Sequence, residues 1–269
     1  MSPVPPSGAF VRSRERVVRA FRSPVFWQGV AGVATFFVVW QLSKAIGLMA
    51  ALPSPVEVVQ GIPRQVAQEG YWLSWIASGK RVFGGFIVAA AAGIFLGIVM
   101  GMSRKLRWSG FPILEILRPI PPLAWLPLAI LFWPSPEMTM IFLTFLGAFF
   151  PIFINVLAGI DNIDMRYIHA ARSLGSSSNT LFWRVMVPGA LPSLFTGLSI
   201  AIGITWEVVI AAEMASAQHG LGYLTWNAYM GHSLVGIVVG MLSIGIAGMA
   251  SSALMGWIGR NAMPWRRGG

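Results

Sequence analysis

Long apolar runs separated by short, basic connections dominate the chain. A helix that crosses a bilayer needs about 20 mainly apolar residues at about 1.5 Å rise each. Six runs meet that requirement, at residues 25–42, 80–102, 113–133, 138–160, 191–214 and 233–259. The pattern therefore predicts an all-α polytopic membrane protein of about six transmembrane helices. In the second run, AAAAGIFLGIVMG sets Gly93, Gly97 and Gly101 at four-residue spacing, which lets two helix backbones approach closely. Between the first two runs, Ser54-Pro55 followed by VEVVQGIPRQVAQEG reads as an N-capped, partly amphipathic helix lying on the membrane.

Composition agrees with this reading, because 56% hydrophobic and 10% charged residues leave too little charge to solvate a globular surface. The mean hydropathy is +0.70. Excluded with the soluble fold are secreted and cytosolic enzymes. There are no cysteines, hence no disulfide framework, thiol nucleophile or Cys-based metal site. His169, His219 and His232 lie far apart and lack HExxH spacing, so no metal site is expected. The net charge of +10 does not point to nucleic acid, since the basic residues sit at the ends of apolar runs.

Their distribution sets the orientation instead. Arg12, Arg14, Arg16, Arg19 and Arg22 precede the first run; Arg104, Lys105 and Arg107 follow the second. Arg166, Arg172 and Arg184 follow the fourth, and Arg260, Arg266 and Arg267 close the chain. These hold 14 of the 19 basic residues. Lys44 and Arg64 lie on the other side, Lys80 and Arg81 at the edge of a run and Arg118 inside one. The positive-inside rule places both termini and the long fourth-to-fifth connection in the cytoplasm. The apolar run after the Arg-rich head is too long for a signal peptide and lacks a small-residue cleavage site, so it reads as a retained anchor. The expected organisation is a cytoplasmic segment at 1–24, one membrane domain at 25–260 and a cytoplasmic tail at 261–269.

Two sets of residues are costly inside a membrane. RPIPPLAWLP packs Arg118, Pro119, Pro121, Pro122, Trp125 and Pro127 into ten residues, removing amide donors and setting a guanidinium beside the break. Such a site either passes an anion through a protein-lined cavity or bends a helix whose Arg118 snorkels to lipid phosphate. Glu207 falls mid-span and is expected on a water-filled pathway; Glu213, six residues on, faces a different side of the helix. It either lines the pathway too or is a helix-end carboxylate bonded to a loop. Asn155 and Thr144 are polar positions of the fourth run, suited to interhelical hydrogen bonds, with Asn155 also a candidate on the pathway.

The fourth-to-fifth connection, RYIHAARSLGSSSNTLFWRVMVPGALP, reads as a short helix ending at Gly175, capping serines, a second short helix and a stop before Pro188. Its Leu174, Leu181, Phe182 and Trp183 are too few to span and ask for a groove on a cytoplasmic partner. Here the chain resembles the permease subunits of type I ATP-binding-cassette importers, whose cytoplasmic loop carries E-A-A-x₃-G-x₉-I-x-L-P. The match runs through Ala170, Ala171, Gly175, Val185, Val187 and Pro188, with His169 where the motif has Glu. RPIPPLAWLPL, TGL at 196–198, AAEM ending at Met214 and HGLGYLTW from His219 extend the likeness to the branch serving taurine, aliphatic sulfonates, nitrate and bicarbonate.

The resemblance implies the type I importer permease fold and one half of a permease homodimer in the bacterial cytoplasmic (inner) membrane. Two cytoplasmic ATP-binding subunits would drive it and an extracytoplasmic substrate-binding protein would feed it, with taurine or another aliphatic sulfonate first among its cargoes. Residues 161–190 would be the coupling loop, with His169, Ala170, Ala171, Gly175, Leu181, Phe182 and Pro188 in contact with the ATPase. This chain carries no GxxxxGK[ST], so ATP and Mg are expected on the partners and neither a cofactor nor a catalytic residue here. An intramembrane enzyme would require paired catalytic groups that the spans lack. A proton-coupled secondary transporter could use Glu207 and Glu213 and would have no use for the helix–Gly–helix loop.

Overall fold

The computed structural model describes residues 24–47, 51–216 and 218–265. The described residues form helices and connections without a β-strand. The basic head with Arg12, Arg14, Arg16, Arg19 and Arg22, and the tail with Arg266 and Arg267, lie outside them. The chain divides into two units between Ile62 and Pro63.

In the first unit, α1 (Pro24–Ala45) occupies the first expected span. It directs Val33, Phe36 and Val39 outward, each about 60% exposed, as a lipid-facing helix does. α2 (Pro55–Val66) opens with the anticipated cap: the Glu57 amide donates to Ser54 Oγ at 3.2 Å, and the Ser54 amide donates to Glu57 Oε2 at 2.9 Å. The division falls within α2 at Pro63, which has no amide to give.

The second unit is built on three long helices. α3 (Tyr71–Met102) and the helix α9 (Val187–Ser216) both pack against α6 (Pro136–Asp161). The glycine stripe is the α3–α6 seam: a Cβ at Gly97 would stand 2.7 Å from Val156 Cγ1, and one at Gly101 2.8 Å from Ile160 Cδ1. Gly93 lies likewise against Ile152. The fourfold spacing thus brings two backbones together, with Val82, Ala89, Leu143 and Ile152 fully buried around them. α10 (Leu221–Met230) and α11 (Leu234–Ala262) close the unit, α11 tied to α3 by a 2.8 Å hydrogen bond between Tyr71 Oη and Ser243 Oγ.

Three expectations need correction. Among the described residues, four helical segments, 71–102, 136–161, 178–215 and 234–262, are long and apolar enough to cross a membrane, or five with one bent pair. That pair is the third expected span. α4 (Arg104–Leu117), a 3₁₀ turn at Pro122–Trp125 and α5 (Leu126–Phe132) replace it with an 85° bend, because Pro119, Pro121 and Pro122 withdraw three donors within four residues. Secondly, α3 begins at Tyr71, nine residues before the expected boundary, so Arg81 lies three turns inside the helix and not at its edge. Thirdly, the second loop helix does not stop before Pro188. α7 (Met165–Ser173) and α8 (Ser178–Leu181) lead into a π-helical turn, Phe182–Met186, that runs straight into α9. The Val187 amide there donates to Phe182 O, a register shift that falls where Pro188 has no N–H.

Candidate functional site

The 85° break positions the first site. Arg118 caps α4, its amide donating to Leu114 O at 3.0 Å, and the chain turns through Pro121 and Pro122 until the Ala124 amide reaches Pro121 O at 2.9 Å. Behind the turn lies a cavity of about 450 Å³ whose lining includes Arg118, Trp125, Asn155, Ile200 and Ile204. Arg118 and Trp125 come from the break, Asn155 from α6 and the two isoleucines from α9. Pro151 and Gly147 of α6 also face the cavity, and Pro151 supplies no hydrogen bond to the Gly147 carbonyl one turn before it. Asn155 turns its amide nitrogen back onto Pro151 O at 2.8 Å.

The Arg118 guanidinium is exposed and has no hydrogen bond or ion pair among the described residues. The structure thus brings Arg118 and Trp125 of the break together with Asn155 of α6. Pro121 adjoins the cavity through Pro122, which lines it. Glu207 is exposed on α9, seven residues beyond Ile200. Glu213 lies elsewhere.

Glu213 belongs to a second, closed arrangement at the other end of α9, and here sequence reasoning missed the central residue. Arg81 is 2% exposed and Glu213 0%. Arg81 Nη1 donates to Glu213 Oε1 at 2.7 Å and to His219 O at 2.6 Å, while Nε donates to Glu137 Oε2 at 2.8 Å and Nη2 pairs with Glu137 Oε1. Ser78 Oγ donates to the Glu213 carboxylate at 2.8 Å and accepts from the Leu221 amide at 2.8 Å; the Gly222 amide completes Glu213 Oε2 at 2.9 Å. Gly220 adopts φ 136°, and a Cβ on it would strike the Glu213 carboxylate. One on Gly222 would strike the Ile210 carbonyl, so the HGLG run closes over the carboxylate as only glycines can. Thr144 fits the expected bonding role, its hydroxyl donating to Met140 O at 3.0 Å and to Arg81 O at 3.2 Å.

The third feature is the connection after α6. Asp164 caps α7 through the Arg166 amide at 2.8 Å. The helix ends on Gly175 at φ +78°, with the Gly175 amide on Arg172 O at 2.9 Å and the Ser176 amide on Ala171 O at 3.0 Å. That pair of bonds is a Schellman motif, which the expected glycine stop requires. Ser177 then caps α8 through the Thr180 amide at 3.2 Å. His169 and Ala170 are exposed, Ala171, Phe182 and Pro188 half-buried, and Leu181 is buried. Leu174 stands 87% exposed and Trp183 62%, an uncovered apolar tip on a turn rigidly built by its caps.

Comparison with known proteins adds independent findings. The family described as binding-protein-dependent transport system inner membrane component matches residues 89–268, which include the cavity, Glu213 and the α7–α8 turn. The nitrate import permease protein NrtB of Synechococcus elongatus is 34% identical over 86% of this chain and 88% of its own length. The taurine transport system permease protein TauC of Escherichia coli is 32% identical over 81% of this chain and 85% of its own. Among solved structures, the MetNI methionine ABC transporter in inward-facing conformations shares the fold with a TM-score of 0.54 at 18% identity, covering 72% of this chain and 93% of that one.

Proposed function

The chain belongs to the binding-protein-dependent transport system inner membrane components and is a permease of an ABC importer, and from that premise we propose that it conducts a small anion, first a taurine-like aliphatic sulfonate, through the cavity at the α4–α5 break. One observation carries the reading: Arg118 presents an unpaired guanidinium to a cavity otherwise walled by apolar side chains, Trp125 and Asn155. A cation left without a partner beside a cavity in a membrane protein is available to an anion that enters it. TauC is a taurine permease by name, which supports the sulfonate. NrtB is a nitrate import permease, so nitrate, with bicarbonate beside it, is the second reading. The family match disfavours a proton-coupled carrier using Glu207 and Glu213.

In this proposal two copies of the chain form the membrane core of a bacterial inner-membrane importer, with both termini cytoplasmic and lipid around it. An extracytoplasmic binding protein delivers the cargo. Two cytoplasmic subunits hold ATP and Mg, while this chain holds no cofactor and performs no chemistry. The segment from His169 through Ala170, Ala171 and Gly175 to Leu181, Phe182 and Pro188 seats in a groove of the ATPase, the exposed Leu174 and Trp183 giving it apolar contact. ATP-driven closure then pulls the turn, and the unbroken α8–π–α9 run transmits the pull to the Ile200–Ile204 wall of the cavity.

The test is to co-express the chain with candidate ATPase and binding-protein partners, reconstitute the assembly and measure ATPase stimulation by binding protein loaded with taurine, alkanesulfonates, nitrate or bicarbonate. Stimulation by a sulfonate supports the first reading, and stimulation by nitrate or bicarbonate alone moves the assignment to the second. Absence of any complex with an ATPase overturns the coupling assignment.

A further inference from the structure

Glu207 is a carboxylate in the middle of a spanning helix, exposed and without a hydrogen bond or ion pair among the described residues. Its direction is set by its neighbours. Trp206, 6% exposed, donates from Nε1 to Ser251 Oγ of α11 at 2.8 Å, and Val208, also 6% exposed, fills the notch at Gly147 of α6. Held on both flanks, α9 cannot rotate to bury the carboxylate. At 100° per residue Ile200, Ile204 and Glu207 share an arc of about 60°. The two isoleucines line the cavity of Arg118, and Glu207 continues that stripe roughly 10 Å beyond Ile200 at 1.5 Å per residue. Gly203, between them on the helix, has open space where a Cβ would stand.

Opposite charges therefore come from two elements: a guanidinium from the break, at the cavity that Ile200 and Ile204 line, and a carboxylate on α9 about two turns beyond Ile200. A cargo that is only negative is attracted at the first and repelled at the second; one bearing an ammonium beside its acidic group is attracted at both. We infer that Glu207 is a specificity-determining residue of the pathway proposed above, on which this inference rests, and that it selects zwitterionic cargo of the aminoalkanesulfonate class over simple anions. Arg118 attracts the sulfonate and the Glu207 carboxylate attracts the ammonium as the cargo passes each in turn. Nitrate has no donor to offer the carboxylate, and bicarbonate has a hydroxyl but no cationic group.

Taurine and isethionate test this directly, since they share the two-carbon sulfonate and differ in an ammonium against a hydroxyl. Uptake of each, and of nitrate, is measured in the reconstituted complex at concentrations that saturate the binding protein, so that the membrane step is compared. The wild type is expected to prefer taurine, and Glu207→Gln to shift the taurine-to-isethionate ratio about tenfold toward isethionate, the scale of one lost charge contact. Glu207→Asp, which keeps the charge, should retain the preference. An unchanged ratio in Glu207→Gln, an equal loss of both cargoes, or a wild type that favours nitrate or isethionate overturns the inference while leaving the importer reading standing. An assembled wild type that takes up none of the three overturns the anion pathway itself, and this inference with it.

Discussion

Arg81 and Arg118 both carry guanidinium groups, one inside the apolar helix α3 and one at the end of α4, and their surroundings are opposite. Arg81 is enclosed, its Nε, Nη1 and Nη2 shared among two carboxylates and a carbonyl. Arg118 is exposed to a 450 Å³ cavity and answers to nothing among the described residues. A buried cation with four of its five N–H donors spent has become part of the scaffold; it ties α3 to α6, α9 and the loop before α10. A cation with its donors unspent beside a void is available to something that arrives. Charge in a membrane protein is thus not a sign of function by itself, and what separates the two residues is burial with satisfied donors against exposure without them.

The largest effect expected from this contrast is on the enclosed side. Arg81→Met leaves Glu213, 0% exposed, without its counter-charge and is expected to destabilise the fold by about 3–5 kcal/mol, the range for breaking one partner out of a buried pair. Thermal unfolding of the purified protein in detergent, with the fraction recovered in membranes, measures it. Adding Glu213→Gln should restore part of the loss, because the stranded charge goes with it. Wild-type stability in the single variant would mean that Glu213 is not held as an ion, and the comparison would collapse.

Arg118→Glu is the counterpart. Nothing in the fold leans on its guanidinium, so stability should stay within about 0.5 kcal/mol of wild type, as at surface positions. Uptake of an anionic cargo should fall at least about 100-fold, because like charge in the path costs several kcal/mol. A reconstituted transport assay paired with a melting curve reads both quantities from one preparation. Unimpaired uptake would return Arg118 to a cation that merely snorkels toward lipid.

How much of this could be read from residues alone differs between the two sites for a physical reason. The Arg118 site is local: a cation and four prolines in ten residues announce a broken span, as Gly175 announced a helix stop and the Gly93–Gly97–Gly101 spacing a close helix seam. The Arg81 arrangement joins residues 132 apart, and only folding brings them together. It was also hidden by a boundary, because Ser74, Ser78 and Lys80 interrupt the apolar run and made α3 seem to start at Lys80. Once Arg81 is placed three turns inside, a buried arginine demands carboxylates, and Glu137, Glu213 and the glycines of HGLG were the signal. The angle of the 85° bend and the π turn through Pro188 are tertiary outcomes that proline positions alone leave open.

A milder break on the enclosed side sharpens the point. Ser78→Ala removes a hydroxyl that donates to Glu213 and accepts from the buried Leu221 amide. A loss of about 1–3 kcal/mol is expected, the penalty for a stranded donor, with transport per folded molecule unchanged. A melting shift accompanied by a proportionate loss of specific uptake would put Ser78, and with it the whole knot, on the transport side of the comparison.

The smallest effect should come from Arg118→Lys, and it is the most discriminating because it keeps the charge. A lysine offers a compact ammonium on a flexible stem in place of a planar fork. In a cavity that only has to attract an anion, that exchange should lower uptake a few-fold at most, with saturation shifted to higher cargo concentration and no change in melting. The same exchange at Arg81 would ask one ammonium to replace three nitrogens already committed to Glu137, Glu213 and the His219 carbonyl. A concentration series of uptake for Arg118→Lys settles which kind of contact the cavity makes. If the variant loses uptake as completely as Arg118→Glu, the cargo is gripped by the fork in two places, and Arg118 is a shaped binding site and not a point of positive potential.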